Sequence, residues 1–179
     1  AEGWTWDAVS IGVPAPVHGG RIAVEPANLG GGWVGFDFAA AFAAPVRVVN
    51  DAAMQALGSY ENGRMLFLGL GTGLGSALVV EGLVQPMELA HLSYRKGTFE
   101  DYVGEAALRK RGKKRWRADV ADVVATLSHA LEPDYVVLGG GNASKLGEFP
   151  ESVTIGDNRN AFVGGFRLWD PNAPASIAG

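Results

Sequence analysis

The chain has 179 residues, 26 glycines, no cysteine and a formal net charge of −4. This length suits one domain or two small lobes, and it is sufficient for a proper hydrophobic core. The absence of cysteine excludes a disulfide scaffold, a thiolate metal site and a cysteine nucleophile. No apolar run reaches the ~20 residues of a membrane span, and the first residues do not resemble a signal peptide. We therefore expect a cytoplasmic globular protein without a membrane partner.

The first half of the chain is predicted to alternate between short strands and helices. Strands are expected at residues 8–13, 21–24 and 45–49, and helices at residues 37–44 and 52–57. Residues 28–33 contain three consecutive glycines, which favour a loop. A shift in composition near Asn50 predicts a boundary between an N-terminal lobe, residues 1–49, and a C-terminal lobe, residues 50–179.

The second half predicts strands at residues 65–70, 76–80, 83–84 and 135–138, with a tight turn at Glu81-Gly82. Helices are expected at residues 99–110, 118–131 and 143–146, and residues 162–169 close the chain. The helix at 118–131 has the clearest apolar face. Because strands alternate with helices and hairpins are mixed in, we predict an α/β fold with a mixed sheet.

Two glycine turns follow apolar strands and are candidate phosphate sites. Gly71, Thr72 and Gly73 begin the first turn, whose backbone N–H groups could approach a phosphate without Cβ obstruction. A second strand follows this turn, which argues against a Rossmann site and a P-loop. Gly139, Gly140 and Gly141 form the second turn, which precedes a predicted helix and would suit an anion or nucleotide. The alternative for each is a tight turn without a ligand.

Asp51 lies at the end of a strand, where α/β proteins place their chemistry. Its carboxylate could take a proton from a hydroxyl nucleophile, or it could simply cap the following helix. Glu88 and His91 are three residues apart and would share one face of a helix, where they could bind a metal or hydrogen-bond sugar hydroxyls. Asn28 and Glu100 are weaker candidates, since both residue types often cap helices.

Seven of the 15 basic residues lie between positions 109 and 117, a run that also contains Trp116. This segregated positive charge could attract a polyanion through Lys113, Lys114 and Arg115. The acidic remainder of the chain argues against a nucleic-acid partner. The alternative is a solvated turn between two helices, with Trp116 in the core.

The order of the motifs is more specific than any one of them. The segments IGVPAPV, NLGGGW, PVRVVNDAA, LFLGLGTGLGSALV, ELAHL and VVLGGGN follow each other in that sequence. This order resembles the ROK family of sugar kinases, and within it the polyphosphate glucokinases, over residues 9–168. The resemblance implies the actin-like ATPase (ribonuclease H-like) fold, in which a cleft separates two lobes.

The resemblance also implies a role for each matching residue. Asp51 would deprotonate the sugar hydroxyl, and the other sugar contacts would come from Asn28, Asn50, Glu88, His91 and Glu100. The first glycine turn would bind phosphate, and Gly139, Gly140 and Gly141 would face adenosine. Mg²⁺ would accompany ATP or polyphosphate as donor, and a homodimer is expected. Without cysteine the chain cannot carry the zinc motif of many family members, so no zinc and no protein-held metal is expected.

The family also begins with an Asp-x-Gly-Gly-Thr phosphate turn that this sequence lacks. We therefore expect an incomplete first lobe and weak or absent phosphorylation by the 179-residue chain. The leading hypothesis is a hexose kinase, with glucose as the substrate. The alternative is a non-catalytic sugar- or nucleotide-binding module, or a paralogue of the family's regulators.

Overall fold

The computed structural model describes residues 5–27 and 29–177, which form twelve strands and five α-helices. The strands are β1 Val9–Val13, β2 Val17–His18, β3 Arg21–Ile22, β4 Val46–Asn50, β5 Arg64–Leu70, β6 Leu74–Val80, β7 Leu83–Met87, β8 Ser93–Tyr94, β9 Gly97–Thr98, β10 Tyr135–Gly139, β11 Val153–Ile155 and β12 Ser176–Ile177. The helices are α1 Phe38–Phe42, α2 Asp51–Ser59, α3 Phe99–Val103, α4 Glu105–Leu131 and α5 Asn160–Arg167.

The main sheet has six strands in the order β11-β10-β5-β6-β7-β12. The strands β5, β6 and β7 form an antiparallel meander, whereas β10 is parallel to β5 and β12 is parallel to β7. The mixed sheet expected from the sequence is therefore confirmed. A separate parallel pair joins β1 to β4 and aligns Val13 with Asn50.

The six-stranded sheet is covered on both faces. In β5, Leu66, Leu68 and Leu70 point to a core built with α3 and α4, and Met65 and Phe67 point to a core built with α2. This alternation follows from the period of two in a strand. A third, smaller core surrounds the β1–β4 pair. The division into lobes at residue 50 stays a prediction.

Several helices differ from the sequence prediction. The helix expected at 99–110 is two helices, because the backbone is extended at Gly104 (φ −69°, ψ 171°). The basic run lies within α4, and the turn considered between two helices is a sharp break at Gly112, where φ is 76° and two helical segments meet. The helix expected at 143–146 is a single 3-10 turn, Ala143–Lys145. In the described part of the chain, no helix is long and apolar enough to cross a membrane.

Helices α2 and α5 cross at very short range, and glycines make this possible. A Cβ built on Gly164 would overlap the carbonyl oxygen of Met54, and one built on Gly58 would overlap that of Asn160. The crossing holds α2, and therefore the residues at its N-terminus, against the rest of the fold.

We expect Gly164→Ala to lower the free energy of unfolding by about 1–3 kcal/mol, because an added methyl forces the helices apart. Urea unfolding followed by circular dichroism measures this loss. Gly165→Ala is the matched control, since a Cβ there would be 3.4 Å from the nearest atom, in Ser10. Equal unfolding midpoints for the two variants would contradict the close crossing.

Candidate functional site

The N-terminus of α2 places Asp51 at the carboxyl end of β4. Asn50 is the helix cap, because its Oδ1 accepts from the N–H of Ala53 at 3.1 Å and its Nδ2 donates to the carbonyl of Ala15 at 3.4 Å. The capping role considered for Asp51 therefore falls to its neighbour. Asp51 is the first helical residue, and its Oδ1 accepts from the N–H of Ala52 at 2.8 Å.

Burial shapes the acidity of Asp51. Removing the carboxylate from water disfavours its charged form, which raises the pKa of Asp51 above the ordinary value of 3.8, while the hydrogen bond from Ala52 acts in the opposite direction. A carboxylate with a raised pKa is a better acceptor for the proton of a hydroxyl group. Burial therefore makes the Asp51 carboxylate more basic than a fully hydrated aspartate.

The start of α2 packs against the start of β6, directly after the first glycine turn. A Cβ on Gly75 would be 2.9 Å from Cβ of Ala52, so the start of α2 fits against the start of β6 only because residue 75 has no side chain. The turn itself closes with a bond from Gly71 N–H to the carbonyl of Gly73 at 3.1 Å. The predicted hairpin around this turn is confirmed by the pairing of β5 with β6.

Glu100 reaches the same turn from α3. Its Oε2 accepts from the N–H of Leu74 at 3.3 Å, and its carboxylate occupies the space where Gly73 lacks a side chain. The N–H of Glu105, at the start of α4, donates to the carbonyls of Gly71 and Thr72 at 3.1 Å each. The N-terminus of α4 therefore fixes the carbonyl groups of the turn, and the carboxylate of Glu100 lies over Gly73.

The two glycine turns are joined directly. The N–H of Asn142 donates to the carbonyl of Leu70 at 2.9 Å, and its Nδ2 donates to the carbonyl of Gly71 at 3.1 Å. Gly140 has φ 83°, and a Cβ there would be 2.5 Å from the carbonyl oxygen of Leu70. Only glycine permits this approach, so the segment 139–141 and the segment 71–73 form one continuous rim at the sheet edge.

Glu88 and His91 do not lie on an α-helix. Glu88 precedes a 3-10 turn, Leu89–His91, and the two side chains approach to 3.9 Å between Oε2 and Nε2 while remaining largely exposed. Buried Ser76 in β6 fixes this segment, because its Oγ donates to the carbonyl of Met87 at 2.7 Å and accepts from the N–H of Leu89 at 3.2 Å.

An open cleft of about 1040 Å³ lies beside these residues, and its lining includes Asn50 and Glu88. It extends along β4 toward the C-terminal segment at Trp169. The glycine turns and Asp51 are not part of its described lining. The cleft therefore lies beside Asp51 and the glycine turns, and it does not contain them.

The basic run lies close to the second glycine turn. Arg117 donates to the carbonyls of Lys145 and Leu146 at 2.7 and 2.8 Å, and Lys145 Nζ donates to Oδ1 of Asn142 at 2.6 Å. Trp116 is completely buried, and its Nε1 donates to the carbonyl of Val103, so it is a core residue. The side chains of Lys113, Lys114 and Arg115 are exposed.

Two of the sequence predictions concern the position of Asn28 and the arrangement of residues that could hold a metal ion. Asn28 lies outside the described residues, so the structure does not place it. Among residues 5–27 and 29–177, no group of three or more histidines, aspartates and glutamates is arranged to hold a metal ion.

Sequence reasoning missed several residues that organise the site. Ser76 anchors the segment with Glu88, and Asn142 joins the glycine turns. Both are polar residues next to glycine turns, and both are almost completely buried, at 1% and 5% exposure. Their position after the glycines was the only available signal. The contacts of Arg117 and Lys145 had no signal in the sequence.

The joined glycine turns lie at the carboxyl ends of two neighbouring parallel strands, which is where α/β proteins bind their ligands. The chain has the fold of the ROK sugar kinases, an actin-like ATPase fold. It matches a glucomannokinase from Arthrobacter sp. strain KM, which uses inorganic polyphosphate or ATP, with a TM-score of 0.76 and 23% identity over 88% of this chain and 71% of that one.

A second solved structure supports the same fold. The ROK family glucokinase from Streptomyces griseus, solved with glucose and AMPPNP, matches with a TM-score of 0.71 and 15% identity over 92% of this chain and 81% of that one. Polyphosphate glucokinase from Mycobacterium leprae (strain TN) is 26% identical over 91% of this chain. The resemblance expected from the motifs is confirmed, although no family model matches.

The chain spans only part of its curated relatives. The match covers 53% of the Mycobacterium leprae protein and 66% of the polyphosphate glucokinase from Mycobacterium tuberculosis (strain CDC 1551 / Oshkosh).

We expect Asp51→Asn to make the protein more stable at neutral pH. The folded state raises the pKa of Asp51 through burial, so the ionised carboxylate costs stability above that pKa, and the cost disappears as the pH falls below it. The neutral amide removes the cost and keeps the bond from Ala52. Urea midpoints of both proteins at several pH values measure the gain. A variant that unfolds more easily at pH 7 would contradict the burial argument.

Proposed function

We propose that this chain carries the catalytic and donor-binding parts of a hexose kinase that transfers a phosphoryl group from ATP or polyphosphate to glucose. The observation that supports this most strongly is that the N-terminus of α2, which carries Asp51, packs through Ala52 against Gly75, directly after the first of two joined glycine turns. Phosphoryl transfer needs positioned groups, a base and electrostatic support rather than covalent chemistry by the protein. The resemblance to polyphosphate glucokinases supports the same function.

In this proposal Asp51 accepts the proton of the sugar hydroxyl as that oxygen attacks the phosphorus atom. Asn50, Glu88, His91 and Glu100 bind the other sugar hydroxyls. Asn28 is assigned to the sugar by the resemblance alone. Glu100 links both substrates, because its carboxylate also touches the first glycine turn.

The donor occupies the rim in this proposal. The turn Gly71-Thr72-Gly73 binds a phosphate through the backbone N–H groups of Thr72 and Gly73, since the N–H of Gly71 closes the turn by donating to the carbonyl of Gly73. Gly139, Gly140 and Gly141 face the adenosine of ATP. Lys145 and Arg117 bring positive charge to the end of the rim. Lys113, Lys114 and Arg115 continue this positive charge along α4, which suits a long polyanion such as polyphosphate.

Mg²⁺ fits the site as a companion of the donor. Mg²⁺ is usually held by substrate phosphates, waters and one or two carboxylates rather than by a protein cage. Asp51 and Glu100 are the carboxylates at the rim, and the ion would neutralise charge on the transferred phosphoryl group. The homodimer and the cytoplasmic location remain predictions.

We expect the chain to bind glucose and, because its sequence lacks the Asp-x-Gly-Gly-Thr turn, to produce glucose 6-phosphate only slowly. We expect Asp51→Asn to lower that slow kcat by about 10²–10⁴-fold. A coupled assay for glucose 6-phosphate measures turnover, and calorimetry measures glucose binding. Because Asp51 must be ionised to accept a proton, kcat/KM falls as the pH drops through its pKa, which burial raises above 3.8.

The same two measurements separate the competing functions. If the chain binds glucose and its turnover equals that of Asp51→Asn, the proposed kinase function is wrong and a sugar-binding module is the better description. The absence of both binding and turnover would refute the proposed function.

We expect neutralisation of Lys113, Lys114 and Arg115 to glutamine to raise KM for polyphosphate at least tenfold and to leave KM for ATP nearly unchanged, because only the long polyanion reaches α4. The effect should shrink at high salt. A double variant, Arg21→Gln with Arg159→Gln, removes exposed charge elsewhere and serves as the control. If the triple variant used polyphosphate as well as this control does, the basic run would have no role in donor binding.

A further inference from the structure

A short hairpin connects two of the proposed sugar-binding segments. Strands β8 and β9 lie between the turn that ends at His91 and the helix α3 that carries Glu100. The N–H of Phe99 donates to the carbonyl of Leu92 at 3.1 Å, so the two ends of this segment meet. Any displacement of the hairpin therefore moves both segments.

The tip of this hairpin is tied to α4 by ion pairs. Arg95 donates to Oδ1 of Asp119 at 2.7 Å and to Oδ2 of Asp122 at 3.0 Å. Asp119 is only 3% exposed, and its second oxygen accepts from Arg111 at 2.7 Å. A buried carboxylate between two guanidinium groups is costly to disturb, because removing a partner leaves a charge without compensation.

Aromatic side chains complete the attachment. The guanidinium group of Arg95 stacks on Tyr94 at 4.7 Å and on Tyr102 at 5.5 Å, and Tyr94 donates to Oδ2 of Asp122 at 2.5 Å. Burial and the bond to Asp122 raise the pKa of Tyr94 to about 12, so it remains a donor over the working pH range. The bond from Tyr94, with a smaller contribution from Arg95, lowers the pKa of Asp122.

The backbone conformation of Arg95 indicates that the ion pairs and aromatic contacts hold this residue in place. Its φ is +54°, in the left-handed region that costs a side-chain-bearing residue energy. Such a conformation persists only where the surroundings hold it in place. Asp119, Asp122 and the two tyrosines provide that support.

We propose that Arg95 and Asp119 are positioning residues for sugar binding, which hold the segment 88–100 at the orientation that the hexose requires. This inference rests on the proposed function, since it takes Glu88, His91 and Glu100 as sugar ligands. Arg95 itself does not contact the sugar. It acts through the hairpin, and Asp119 anchors it to α4.

The decisive variant is Arg95→Asn. Asparagine tolerates a positive φ better than most residues, so this change removes the ion pairs and the stacking without adding backbone strain. We expect the dissociation constant for glucose to rise about tenfold, in line with couplings between contacting groups. The dissociation constant for ATP should rise much less, because the rim keeps its bonds with Glu105 and Asn142 when the contact between Glu100 and Leu74 weakens. Calorimetry with each ligand measures both.

Two further proteins make the test specific. Arg109→Asn removes an exposed arginine of α4 that pairs with Glu105, and it should bind glucose as the unmodified chain does. Asp119→Asn should weaken glucose binding, and the double variant with Arg95→Asn should be no weaker than the more affected single variant, because both changes break one link.

The outcomes separate this inference from the proposed function. If the unmodified chain binds no glucose, the proposed function fails. If it binds glucose and Arg95→Asn binds it equally well, the positioning role is wrong. An equal loss of glucose and ATP affinity in Arg95→Asn would also overturn it, since that would show general loosening of the fold.

Discussion

The parallel pairing of β10 with β5 is the constraint on which the site depends. Its register aligns Gly139 with Gly69, so both strands end at the same edge and their glycine turns meet there. Asn142 then joins the turns by hydrogen bonds to Leu70 and Gly71. Because the strands are far apart in the chain, this single pairing turns two ordinary turns into one rim.

Helix α4 organises the surroundings of that rim. The N–H of its first residue, Glu105, holds the turn at Gly71, Arg117 holds the segment after Asn142, and Asp119 anchors the hairpin at Arg95. The break at Gly112 changes the direction of the helix between Glu105, which contacts the first glycine turn, and Arg117 and Asp119, which make the other two contacts. The charges of the basic run are therefore partly structural, and only the exposed members remain available for a polyanion.

Sequence reasoning was most successful where chemistry is local. The continuous apolar run of β5 and the glycines that follow it predicted a strand and a hairpin turn, and both are present. It was less successful at helix ends: the break at Gly104 has no strong local signal, since its backbone is set by packing against Thr72 and Glu100. The placement of Asn28 stays a prediction.

The sequence by itself determined the fold class, the two glycine turns and the location of Asp51 at a strand end, because strand periodicity, glycine and β-branched residues act over a few positions. Only the tertiary structure decided that Glu100 lies over Gly73, that Asn142 joins the two glycine turns, and that Asp119 holds Arg95. These contacts join residues from separate elements, and their distances depend on packing that no local pattern encodes.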